Sequence, residues 1–415
     1  MMETARGPWY RQLHWQIFLA MALGIVAGRL GGEAFADRVS WLGTVFVRLL
    51  KLIIVPLVVT SLVTGIASVG SAGLGRLFRK TLGFYVLSSL LAALGGLIFV
   101  NLIRPGVGAN ITGSVHKELP DLQTPSSVAD LLLRMVPTNV IQSAAEADML
   151  GVIFFCVLLG VGITALPETH RRPLLELFGA AFEVMMRITG WIIRIAPIGV
   201  FGLMTQVVGT SGFDAFKALG LYMLTIASGL TLHLFVVLPL LLILLGRINP
   251  LVHFRNMIEP LTMAFSTSSS GATLPVTLRT VEHKVGVSNR VSSFVLPMGA
   301  TVNMDGTALY ECAGALFIAQ VLGADLSIGQ QIVVVFTALM ASIGAAAVPS
   351  AGLVIIFLVL EAINLSGPEV NLIVGSMFAI DRPLDMYRTA VNVFSDSCGA
   401  AIIARSEGEQ GVDED

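Results

Sequence analysis

The chain has 415 residues, 55% hydrophobic and only 13% charged, against roughly 25% charged in an average soluble domain, so a water-soluble fold of this length could not cover its surface. A formal net charge of -2 leaves no basic face for nucleic acid, which is excluded as a partner, and the one like-charge cluster is an acidic end, Asp413 to Asp415, expected to be solvated. Cys156, Cys312 and Cys398 stand alone in apolar surroundings and read as buried thiols, without metal-ligand or disulfide spacing.

Apolar segments fall at 13–30, 40–69, 78–103, 128–166, 173–208, 214–246, 287–321 and 368–404, several of them reaching the roughly 20 residues that cross hydrocarbon. The expectation is an all-α polytopic membrane protein with eight transmembrane helices. Two further stretches, 254–282 and 327–366, carry apolar arms around runs of small and hydroxyl residues, Ser266 to Pro275 and Ala341 to Gly352. Non-helical backbone at membrane depth is tolerated only inside protein or beside a watery cavity, so these stretches are expected to be re-entrant helical hairpins. Paired interruptions of this kind point to a transporter with a site near the midplane. Arg76, Arg79 and Lys80, then Arg171 and Arg172, then Arg247 and Arg255, with Arg405 last, lie on one side if the N-terminus is cytoplasmic; the positive-inside bias then puts both termini in the cytoplasm.

In the third segment Tyr85, Ser88 and Ser89 share one helical face, where hydroxyls serve helix packing as readily as ion binding. The seventh is interrupted by Asn303-Met304-Asp305-Gly306-Thr307, a run that breaks a helix and exposes carbonyl oxygens; oxygen donors suit a hard cation such as sodium. Glu311 follows Thr307 at helical spacing, and burial disfavours the charged form of a carboxyl, so it could carry a proton. The eighth holds Asp381, Asp385, Arg388, Asn392 and Asp396 at steps of four, three, four and four, with Thr389 at the margin. Charges in a membrane segment face protein, water, ions or substrate. Three carboxylates here share one arginine, and the excess negative charge asks for cations.

These motifs, in this order and over nearly the whole chain, resemble the glutamate/aspartate transporter family, the dicarboxylate/amino acid:cation symporters. The resemblance implies a homotrimer in membrane lipid, each protomer pairing a scaffold (1–76 and 106–210) with a transport domain (77–105 and 211–405) that moves like an elevator, followed by a disordered tail (406–415). It implies that Asp385 holds the substrate amino group, Arg388 the side-chain carboxylate, and Asn392 with Thr389 the backbone end. Ser268, Ser269 and Thr307 would line the pocket, closed by Val348 and Gly352 of the second hairpin. Sodium would take three sites: Gly299, Asn303, Asn392 and Asp396; Thr301, Met304, Ser342, Ile343 and Ala345; and Tyr85, Ser88, Ser89, Asn303 and Asp305. Glu311 resembles the proton-carrying glutamate of animal members.

The chain departs from the family's pattern in two respects. An arginine that archaeal carriers place before the hairpin serines, and animal carriers after the residue matching Asp385, is replaced here by Thr267 and Met386, leaving the partner of Asp381 open; Tyr387 stands where a small or aliphatic residue is usual. The expected function is sodium-coupled symport of glutamate or aspartate in a prokaryotic plasma membrane, with a neutral amino acid or C4-dicarboxylate carrier of the same fold as the alternative. An intramembrane serine protease built on Gly209-Thr210-Ser211-Gly212 would need His233 or His253 as its base.

Overall fold

The computed structural model describes residues 13–67, 75–109, 111, 136–146, 149–211, 214–343 and 351–413. Among them every regular element is a helix: α1 (Leu13–Ala67), α2 (Gly75–Ile103), α3 (Val140–Ala145), α4 (Met149–Thr164), α5 (Glu168–Arg194), α6 (Ala196–Ser211), α7 (Asp214–Leu232, carried on by π-turns to Gly246), α8 (Pro250–Thr267), α9 (Ser270–Thr280), α10 (Asn289–Val302), α11 (Asp305–Val321), α12 (Ile328–Ile343), α13 (Ala351–Ala362) and α14 (Pro368–Ser406). By length and composition three helices can cross a membrane, Trp15–Thr64, Gly75–Ile103 and Lys217–Gly246, and the pair Glu168–Arg194 and Ala196–Thr210, bent by 48°, makes a fourth. The apolar composition and these helices make the chain an integral membrane protein.

The breaks have local causes. The gap expected at 31–39 is helical apart from Gly32, whose backbone (φ 58°, ψ -162°) divides α1 in two. The segment 287–321 splits where the polar run lies, with Asn303 and Met304 out of helical geometry between α10 and α11. The serine run parts α8 from α9 at Ser268, in the left-handed region (φ 52°), and Ser269, whose side chain accepts from Ala272 N at 3.2 Å and caps α9. The second run joins α12 to α13 through residues outside the described set.

Helix α1 lies along α6 through glycines. A Cβ at Gly28 would stand 2.7 Å from the Thr205 carbonyl, and one at Gly43 would stand 2.6 Å from Leu203 Cγ. Close backbone approach of this kind is how helices associate without a hydrophobic drive between them. Helix α14 packs against α2, α7, α8, α10 and α11 and also against α6 and α1; α11 is buried at every residue from Asp305 to Ala319.

The segment after α14 corrects two expectations, the disordered tail and the solvated Asp413. Glu407 pairs with Arg76 and Lys80, each at 2.6 Å, and Ser288 donates to Glu409 through its backbone N–H (2.9 Å) and its hydroxyl. Asp413 is buried: its N–H donates to Val285 O (2.8 Å), Oδ1 accepts from Asn256 (2.9 Å), and Oδ2 bonds His253 Nδ1 (2.6 Å). The other ring nitrogen of His253 bonds Ser397 Oγ at 2.9 Å. A carboxylate can leave water when its oxygens are matched in this way. The result is a strap tying both arms of the α8–α9 pair, α2, α10 and α14 at one end.

Hydrogen bonds from Lys80 and then Arg76 hold the Glu407 carboxyl below its ordinary range, so the stability it contributes is present at neutral pH and fades as acid protonates it. Asp413→Ala leaves the buried Nδ1 of His253 without its partner and is expected to cost about 1–3 kcal/mol. Thermal unfolding in detergent reads this as a lowered midpoint; an unchanged midpoint would mean that the strap adds no stability.

Candidate functional site

Arg388, midway along α14, is among the largest fully buried side chains, 1% exposed. Its Nη2 donates to Asp385 Oδ1 at 2.8 Å and to Asp381 Oδ1 at 3.0 Å. Its guanidinium carbon sits 3.9 Å from the Tyr310 ring centroid, a cation–π contact that holds the plane of the fork. Gly352 at the start of α13 comes so near that a Cβ there would stand 2.5 Å from Nη1. The glycine is what lets this backbone reach the arginine. Arg388 Nε and Nη1 are buried and, among the described residues, bond no acceptor.

The single-arginine reading of the α14 stripe is corrected here. Arg382 also faces the cluster, with Nη1 at 3.6 Å from Asp385 Oδ2. Asp381 and Asp385 therefore meet two guanidinium groups, and the open partner of Asp381 is Arg388. Arg382 escaped the stripe because it lies one residue, about 100°, from Asp381, and its long side chain curls back to Asp385. The i,i+3 spacing of Arg382 and Asp385 was the available signal.

One turn and more along α14, Thr389 donates to the Asp385 carbonyl at 2.9 Å. Asn392 Oδ1 accepts from Gly306 N (2.7 Å), while its amide donates to the Met304 sulfur (3.2 Å), so it spans the α10–α11 break. Thr307 lies buried in the first turn of α11. Asn303, in the break, donates to Asp396 Oδ1 (3.0 Å) and Ser395 Oγ (2.9 Å). A Cβ at Gly299 would collide with Asp396 Oδ1 and stand 2.7 Å from the Tyr85 hydroxyl, which itself donates to Val295 O at 2.7 Å.

Asp305 forms the hub on the other side of the break. Its Oδ1 accepts from Ser89 (2.6 Å) and Ser88 (3.1 Å), and Ser88 also reaches Asn303 Oδ1 at 3.2 Å. The sequence-derived set Tyr85, Ser88, Ser89, Asn303 and Asp305 thus lies around one junction of α2, α10 and α11. His233 is an addition: its Nε2 bonds Asp305 Oδ2 at 2.9 Å. A lone histidine in an apolar span was the sign of it. With His233 on Asp305 and His253 on Asp413 and Ser397, both histidines proposed as a base for Ser211 are engaged elsewhere.

The remaining oxygen donors are more scattered. Thr301 donates to Met298 O at 3.0 Å and Ser342 to Leu339 O at 2.9 Å, with Ile343 closing α12; Ala345 and Val348 lie outside the described residues. Ser268 is buried with its hydroxyl unmatched at the α8–α9 joint, beside the capping Ser269. Glu311 is fully buried on α11, and among the described residues neither of its carboxyl oxygens has a partner.

Comparison with known proteins identifies the family. The model of the sodium:dicarboxylate symporter family matches residues 13–406. Excitatory amino acid transporter 3 of Mus musculus is 35% identical, covering 96% of this chain and 87% of its own. The proton/glutamate-aspartate symporter of Escherichia coli is 34% identical over 95% of this chain and 93% of its own. The proton/sodium-glutamate symport protein of Geobacillus stearothermophilus is 34% identical over 96% and 95%. A match across nearly the full length of the chain, to the family model and to these relatives alike, places the chain in the sodium:dicarboxylate symporter family.

Proposed function

We propose that the chain is a secondary active symporter that carries L-glutamate or L-aspartate with sodium ions, and that it is not an enzyme. The observation that carries the reading is the buried fork of Arg388, with Nε and Nη1 unmatched and Asp385 beside it. A guanidinium fork takes a carboxylate by two parallel hydrogen bonds, and an adjacent carboxylate takes the ammonium group. Only a ligand with both features satisfies the pair. Asn392 and Thr389 receive the backbone carboxylate, Thr307 and the Ser268–Ser269 joint line the pocket, and Gly352 with Val348 closes it.

Sodium is cargo bound by the oxygen donors around the α10–α11 break. Gly299, Asn303, Asn392 and Asp396 form one site; Tyr85, Ser88, Ser89, Asn303 and Asp305 form another, with His233 fixing Asp305; Thr301, Met304, Ser342, Ile343 and Ala345 form the third. Glu311 carries a proton. An ionised carboxylate without partners would bear the full cost of desolvation, which a proton removes, and two of the bacterial relatives are named for proton coupling.

The architecture we infer has eight spans and two re-entrant hairpins, α8–α9 and α12–α13. Residues 1–76 and 106–210 form the scaffold and 77–105 with 211–405 the elevator-like transport domain of a homotrimer set in lipid. It resides in a prokaryotic plasma membrane with cytoplasmic termini. The glycine seam between α1 and α6 supports a scaffold built on that pair, and the arginine-bearing loops support the orientation.

Reconstituted in liposomes, the protein is expected to take up labelled L-aspartate or L-glutamate only under an inward sodium gradient; uptake of neither would refute the reading. Arg388→Cys should lower kcat/KM for acidic substrates at least roughly 10- to 100-fold, the worth of one lost charge-assisted hydrogen bond. Gly299→Ala, which puts a methyl group against Asp396, should raise the sodium concentration for half-maximal uptake several-fold, and an unchanged sodium dependence would remove that site. Glu311→Gln should flatten the pH profile of uptake; a profile identical to that of the native protein would take the proton role from Glu311.

A further inference from the structure

The family arginine that this chain lacks at 267 and 386 has its charge supplied from a third place. We propose that Arg382 is a positioning residue for substrate binding: it holds Asp385 as an oriented carboxylate while Arg388 releases it to take the substrate's side-chain carboxylate. The inference rests on the symport reading above and deepens it.

The geometry separates the two oxygens of Asp385. Oδ1 accepts from Arg388 Nη2 at 2.8 Å, whereas Oδ2 faces Arg382 Nη1 at 3.6 Å, an ion pair without a hydrogen bond. Side-chain exposures of 18% for Arg382 and 8% for Asp385 keep the pair away from bulk solvent. Exposed i,i+3 pairs contribute little because water and salt screen them; screening is weaker at this depth. Arg382 Nε is buried without a partner, so nothing else competes for this guanidinium by way of that atom.

Charge bookkeeping gives the role. In the arrangement described, Asp381 and Asp385 face Arg382 and Arg388, two against two. Glutamate and aspartate bring two carboxylates and one ammonium. When Arg388 turns its fork to the incoming carboxylate, Asp385 loses its shortest contact at the moment it must receive the ammonium. Arg382 on Oδ2 keeps the carboxylate in place and leaves Oδ1 for the amino group.

Neither alternative seat supplies this charge. Thr267 exchanges weak contacts with Thr273 (3.3 Å) and the Ser269 carbonyl (3.4 Å), and Met386 is uncharged. The position that animal carriers fill with arginine is therefore open to a rescuing substitution next to Asp385.

The test is uptake kinetics in proteoliposomes for the native chain, Arg382→Ala, Arg382→Lys and the double variant Arg382→Ala/Met386→Arg. Arg382→Ala should raise KM for L-aspartate or L-glutamate tenfold or more, with the sodium concentration for half-maximal uptake, measured at saturating substrate, changed by less than twofold. Arg382→Lys should stay within about threefold of native, and Met386→Arg should recover most of the lost affinity in the alanine background. A merely structural role would lower the amount of folded protein and the maximal rate without moving KM, and no arginine at 386 would mend it. If the alanine variant does not fold, Arg382→Gln, which keeps the bulk and loses the charge, gives the same comparison. An unchanged KM in the neutral variant, or no recovery in the double variant, overturns the inference while the native protein still transports. Failure of the native protein to transport acidic amino acids overturns the functional reading itself.

Discussion

A guanidinium held out of water needs its counter-charges in place, and the burial of Arg388 sets terms for everything packed around it. Asp381 and Asp385 meet Nη2, the Tyr310 ring covers one face, and the backbone at Gly352 closes to contact distance. None of these neighbours can be moved singly without exposing or clashing with the charge. The cost of stranding one member of a buried ion pair is several kcal/mol, so the cluster behaves as one unit. Its unmatched donors make the same unit a receptor, because a ligand carboxylate restores what water would have supplied.

The second constraint is the broken helix. At Asn303 and Met304 the chain leaves helical geometry, and side chains repair the interruption: Asn392 takes the Gly306 N–H and Asn303 bridges to Asp396 and Ser395. The carboxylates Asp305 and Asp396 stand on either side of the break, one bonded by two serines and a histidine, the other by an asparagine. Both lie within a turn or two of the arginine cluster along α11 and α14. Cations and the acidic ligand would thus share one set of helix segments, which is the physical basis on which binding of one favours binding of the other.

Much of this could be read along the chain because it follows helical periodicity. The steps of four, three, four and four on α14, the polar run at the α10–α11 break, and the serine joint between α8 and α9 all appear where spacing and composition placed them. What escaped depends on contacts through space. His233 meets Asp305 across 72 residues and His253 meets Asp413 across 160, and no local pattern encodes such pairings. Arg382 was missed for the opposite reason: it is close in sequence but off the stripe, and only the reach of its side chain returns it to Asp385. The stretch around Gly32 shows the same limit, since a polar, glycine-bearing interval can be helical on both sides of a single kinked residue.

The strap after α14 also bears on the order in which the chain can assemble. His253 and Asn256 emerge during synthesis long before Asp413, yet their side chains find that partner only when the chain has been made through residue 413. Until then the base of the α8–α9 pair holds polar groups without their final matches, and contacts of such long range form slowly because their loops must close first. Docking of residues 407–413 therefore seals this end: a nascent chain still lacking them has the preceding helices in sequence but that end unsealed. Protease resistance of that end, followed through biosynthesis, would report when the strap has docked.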